Sequence, residues 1–142
     1  MRRLPPLFSE LPRPAQVFVA VILPALYGAL TGYFLGESEA VYLVLSIIGI
    51  VGGIGAGFDH VGARAGALRG IVAGSLFGGF ILIVYELRGE PATAELPEPA
   101  ILLVALTTVL AVCFAALGGW LRQRAIRRGA KEGAPEVPGP LG

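Results

Sequence analysis

Charge is scarce in this chain. Only 15% of its 142 residues are Asp, Glu, Lys or Arg, against about 25% in an ordinary soluble domain. Those few charges fall in short patches separated by long apolar runs, and the mean hydropathy is +0.75. A water-soluble globule is thereby excluded and a membrane protein indicated. Histidine and cysteine are almost missing, with one of each, His60 and Cys113. A lone cysteine closes no internal disulfide. One histidine and one distant cysteine supply no metal-ligand set, so neither a metal nor a cofactor is expected. A net charge of +1 creates no field for nucleic acid, and no nucleic-acid partner is expected.

No carboxylate, lysine or histidine falls at the centre of any apolar run. Deep ionisable residues usually mark ion-coupled transport, so proton-coupled transport is disfavoured. The mid-depth polar set is Thr31, Ser46, Ser75, Thr107, Thr108 and Cys113, and Thr107 and Thr108 are expected to bond their own helix carbonyls. No nucleophile–base pair and no P-loop is found, and "GGIGAG" lacks the strand–turn–helix setting of a dinucleotide fingerprint. The chain reads as a non-enzyme. A lipid-acting enzyme at the cytoplasmic face would have to work through Asp59, His60 and Arg64.

What is abundant is apolar length. A spanning helix needs about 20 residues, and four segments qualify: 15–35, 40–58, 66–87 and 100–121. The expected fold is all-α, a bundle of four transmembrane helices. Residues 1–14 form a cytoplasmic segment, in which Leu7, Phe8 and Leu11 suit the headgroup layer. Residues 122–142 form a tail, first basic and then rich in Gly and Pro, the latter part disordered. The first run is longer than a signal-peptide core and is followed by no cleavage site, so it is read as retained. Pro24, in its middle, removes a backbone donor and is expected to kink the helix.

Ten basic residues lie on one side of these spans: Arg2, Arg3, Arg13, Arg64, Arg69, Arg122, Arg124, Arg127, Arg128 and Lys131. Only Arg88 lies on the other, among Glu37, Glu39, Glu86, Glu90, Glu95 and Glu98. Basic segments stay in the cytoplasm, which places both termini there. A bacterial cytoplasmic membrane is the expected location. The stretch "ELRGEPATAELPEPA" reads as an irregular outer loop, and Pro97 and Pro99 suit the start of the next helix.

Glycine is the second abundance, with 21 residues. In "GARAGALRGIVAGSLFG" it recurs at 62, 66, 70, 74 and 78. In lipid, helices gain little by hiding apolar side chains from one another, so small residues that let backbones approach supply the packing. Similar ridges are Gly28 with Gly32, and Gly49 with Gly53, and a weaker one is Ala111, Ala115 and Gly119. Each four-residue step drifts about 40° around a straight helix. Gly62 is therefore expected in the loop, with Gly66, Gly70, Gly74 and Gly78 shared between two neighbouring helices. The ridges serve packing within one bundle, an interface between copies, or both.

The one dense polar cluster near a membrane face is "FDHVGARAGALRG", with Asp59, His60, Arg64 and Arg69. It is either an anchor with a surface ion pair or a mouth for an anion or lipid headgroup. Arg69, about one turn inside its span, either snorkels to the interface or pairs inward with Asp59. The segment "GGIGAGFDHVGARAGALRGIVAGSLFG" resembles a group of small bacterial four-span membrane proteins of unknown function, which share a glycine-rich hairpin between spans two and three. That resemblance implies the fold and brings no catalytic or ligand residues. Small multidrug exporters carry a carboxylate in span one, which is absent here. Dual-topology fluoride channels need a balanced charge distribution, which this chain lacks. The function expected is a noncatalytic membrane component. Membrane lipid surrounds it, and glycine ridges join it to a second copy or to another membrane protein. The alternative is a small channel or carrier for a neutral or anionic solute.

Overall fold

A computed structural model describes residues 7–132 of the chain. Arg2, Arg3 and the Gly/Pro-rich end of the tail lie outside the described residues. The described residues are all-helical, without strands, and form a four-helix bundle. A single 3-10 turn, Phe8–Glu10, leads into α1 (Arg13–Leu35), α2 (Glu39–Phe58), α3 (Ala63–Arg88) and α4 (Ile101–Glu132). All four are long and apolar enough to cross a membrane. The start of α1, the α2–α3 turn and the end of α4 share the basic end. The α1–α2 turn and the α3–α4 loop share the acidic end.

Two glycines bound α3 through backbone geometry. Gly62, at φ 97°, turns the chain before α3, and its N–H donates to Gly119 O at 3.0 Å. Gly89, at φ 64°, stops α3 in the left-handed conformation that a side chain disfavours. The loop that follows is irregular, as its prolines require, and α4 begins two residues after Pro99. It is not loose. Thr93 sends both its N–H and its hydroxyl to Leu35 O, at 2.8 and 2.9 Å, which satisfies a carbonyl orphaned at the end of α1. Ala92, Ala94 and Leu96 then pack on the buried cluster of Leu35, Tyr42, Phe77, Ile81 and Leu103.

Arg88, the lone basic residue at the acidic end, ties the two loops of that end together. It bonds Glu37 at 2.6 Å, Glu90 at 2.7 Å and Tyr33 O at 2.6 Å, and lies 4.0 Å over the Tyr33 ring.

Helix packing follows the small residues, with one departure from the sequence expectation. Gly66, Gly70, Gly74 and Gly78 do not divide between two neighbours. Their nearest atoms all belong to α4, successively at Ala115, Ala111, Thr108 and Thr107. The drift that argued for two partners assumes a partner parallel to the axis. A partner lying along the i±4 row, itself inclined by about 26°, follows the drift. Gly28 and Gly32 of α1 lie on the backbone of α3, at Phe77 and Ile81. Gly57 of α2 lies on Ala115 of α4, and Gly118 of α4 lies on Ile54 of α2. Gly49 sits beneath the Tyr27 and Phe77 rings, and Gly53 makes only ordinary contacts with Phe114 and Ala111. The fourth helix also outruns its expected end at Leu121 by continuing through the basic segment to Glu132.

Gly74→Leu is expected to fail. A Cβ there already comes within 2.6 Å of Thr108 Cα, and overpacking against backbone costs about 3 kcal/mol. Gly79→Leu, where nothing lies within 4 Å, should be neutral. Thermal unfolding of both variants in detergent checks the contrast.

Candidate anion-binding cleft

Within α1, Pro24 has no N–H to offer Ala20 O, its α-helical partner four residues back. The chain responds with a π turn over Phe18–Ile22, and the Leu23 N–H then bonds Phe18 O instead of Val19 O. Pro24 would be the π-type donor to Val19 O, and it has no proton to give. Two successive carbonyls, Val19 and Ala20, thus lose their α-helical donors in the same turn. The expected kink takes this form: a widened turn inside a helix that continues to Leu35.

Arg69 answers those carbonyls from the neighbouring helix. Its Nη2 donates to Val19 O at 2.6 Å and its Nη1 to Ala20 O at 3.3 Å. Gly66 and Gly70, on the adjacent turns of α3, press against α4, while Arg69 itself reaches α1. The residue is only 8% exposed. It neither snorkels outward nor pairs with Asp59, and Asp59 acts on it only through space. Two uncharged oxygens do not neutralise a buried cation, and the medium around it screens poorly.

The other three members of the sequence cluster do not join it. Asp59 closes the end of α2, and its carbonyl accepts the Phe8 N–H at 3.0 Å. His60 stacks on Phe8 with ring centroids 5.1 Å apart, and its Nδ1 lies 3.3 Å from Ala56 O. Phe8 therefore packs on the α2–α3 turn. Arg64 is exposed on the first turn of α3.

Beside Arg69 lies a cavity of about 270 Å³. Val19, Pro24 and Tyr27 line it from α1, Gly49 and Gly52 from α2, and Phe77 from α3. It opens sideways between α1 and α2, since Leu23 and Ile48 on its rim are 47% and 55% exposed and Gly52 meets nothing within 4 Å. Its uncharged polar groups are engaged. Tyr27 donates its hydroxyl to Leu45 O at 2.9 Å, and Thr107 donates to Val104 O at 3.0 Å and lies 3.3 Å from Gly74 O. Arg69 alone has N–H groups to spare, because its two bonds do not exhaust a guanidinium. The arrangement can attract one negative charge at one end and accommodate apolar matter along the rest.

Sequence reasoning found Arg69 but missed its partners. The available signal was Pro24: a proline within a span identifies, four residues back, a carbonyl in need of a donor. No family model matches the chain, and neither a curated protein nor a solved structure matches it.

The pairing of Pro24 with Arg69 has a measurable consequence. Arg69→Ala should destabilise the protein by about 2 kcal/mol, because it strands two carbonyls. In a Pro24→Ala background, where the substituted residue supplies the missing N–H, the same change should cost about 1 kcal/mol less. A double-mutant cycle in detergent measures the coupling, and strict additivity would contradict this account of the turn.

Proposed function

We propose that the protein is a noncatalytic component of a bacterial cytoplasmic membrane. Both termini lie in the cytoplasm, and the protein works by holding an anionic ligand in the cleft beside Arg69. The single observation carrying this reading is the buried guanidinium, held by backbone oxygens at the edge of an otherwise apolar cavity. An ionisable group inside a spanning segment marks a functional site unless paired away. Desolvating a lone ion costs on the order of several kcal/mol, and an anion placed beside it offsets much of that penalty. The orientation rests on the basic residues, ten on one side against one on the other.

A channel or carrier for a hydrated solute has less support. The Thr31, Thr107 and Thr108 hydroxyls that would replace a hydration shell are bonded to backbone carbonyls. Association with a second copy or another membrane protein is favoured by a different observation. The glycine ridges of α1 and α3 are occupied within the bundle, while Gly52 and Gly55 on the exposed side of α2 meet nothing within 4 Å.

Native mass spectrometry from gentle detergent separates these readings. The ligand reading expects a stoichiometric anionic adduct on the wild type that Arg69→Gln removes, and an adduct retained by that variant overturns it. The association reading expects a discrete oligomer that Gly55→Leu dissociates, and a monomer in both samples overturns it. For the orientation, a fluorescent-protein fusion at the C-terminus should glow, and an active periplasmic phosphatase at the same position would reverse the assignment.

A further inference from the structure

The inference that follows rests on the anionic-ligand reading above and names the chemical class of that ligand. The geometry points to a single-chain carboxylate amphiphile, a free fatty acid, with its carboxylate on Arg69 and its chain in the groove between α1 and α2. Three features of the cleft carry it.

The first is the supply of donors. Arg69 is the one charged group lining the cavity, and the Tyr27 and Thr107 hydroxyls are already given to carbonyls. A carboxylate presents two oxygens, which the fork of one guanidinium matches. A phosphate ester brings further acceptors, and nothing else in this cavity offers them a proton.

The second is size and course. At about 270 Å³ the cavity lies just below the roughly 300–1,000 Å³ of pockets that enclose drug-sized molecules. That is room for one chain, not two. Its walls run from Val19 to Tyr27 on α1 and, in the opposite direction, from Ala56 to Ile48 on α2. Each wall is about 12 Å of helix. The Tyr27 and Phe77 rings, stacked at 5.8 Å, close the end away from Arg69.

The third is the opening. The rim at Leu23, Ile48 and Gly52 faces outward from the bundle. A chain longer than the groove continues through it into the surrounding lipid, and a ligand enters by the same route without crossing water. The gap between α1 and α2 acts as a side door for a molecule already dissolved in the bilayer.

Binding is measured by native mass spectrometry of the full chain in neutral detergent, titrated with palmitate, hexadecanol, acetate and hexadecyl phosphate. Palmitate should bind one-to-one, at least about tenfold more tightly than hexadecanol, and acetate should not bind. Arg69→Gln should weaken palmitate by about tenfold or more. Should Arg69→Gln misfold, Gly52→Leu remains informative. Its Cβ meets no neighbouring atom within 4 Å and so spares the fold, yet a leucine there stands in the mouth of the groove and should weaken palmitate to a similar extent. Palmitate binding undiminished by Gly52→Leu overturns the chain's placement. Hexadecyl phosphate that binds through Arg69 while palmitate matches hexadecanol overturns the carboxylate assignment and leaves the anionic cleft standing. Binding of every anion unaffected by Arg69→Gln overturns both readings.

Discussion

The close approach of α3 to α4 is the contact on which the rest of the bundle depends. From Gly66 to Gly78 the α3 backbone lies directly on the α4 backbone, because no Cβ stands between them. In lipid this is the contact that supplies packing energy, since apolar side chains alone give helices little reason to prefer one another. The outer two helices then attach to different members of this pair, α1 to α3 through Gly28 and Gly32, and α2 to α4 through Gly57 and Gly118. No comparable seam joins α1 to α2. The cleft is the space left when two helices dock on separate supports, and its walls are only as mobile as those supports permit.

Charge enters that space through a defect. A regular first helix would keep its carbonyls to itself, and Arg69 would have nothing to bond but water or lipid. Pro24 and the π turn free the oxygens of Val19 and Ala20, and those oxygens fix the guanidinium in depth and direction. Two locally unfavourable choices, a proline within a span and an arginine below the interface, relieve one another. Its partners are dipoles, which leave the cation's charge uncompensated, so its field remains available to a ligand. A carboxylate at the same distance would have cancelled it.

Much of this architecture was legible in the sequence, for an identifiable reason. Apolar run length determines a spanning helix almost without context, and the observed helices 39–58 and 63–88 differ from the expected spans by three residues or fewer at either end. The glycine spacing announced close helix contacts. It did not say which helix each ridge meets, because that depends on the inclination of the partner, as α4 lying along the Gly66–Gly78 row demonstrates. The end of α4 was misplaced because Arg122, Arg124 and Arg127 end hydrophobicity without ending helix propensity. The candidate cluster was legible only as composition. Asp59, His60, Arg64 and Arg69 are neighbours in the chain, yet the α2–α3 turn keeps the first three at the basic end while a turn and a half of helix carries Arg69 into the bundle.

The unbroken run of α4 to Glu132 has a mechanical consequence. Its 32 residues span about 48 Å, whereas a hydrocarbon core is about 30 Å thick. The excess is a stiff rod studded with Arg124, Arg127 and Arg128, joined without a hinge to the helix that carries the Ala111 and Ala115 contacts. Any tilt of that inner portion is therefore passed outward with its lever arm. A rotation of about 10° would sweep the charged tip through about 3 Å, enough to alter which surface those arginines touch. Rearrangement deep among the helices would thus become visible to whatever lies beyond the bilayer, without any part of the chain having to unfold.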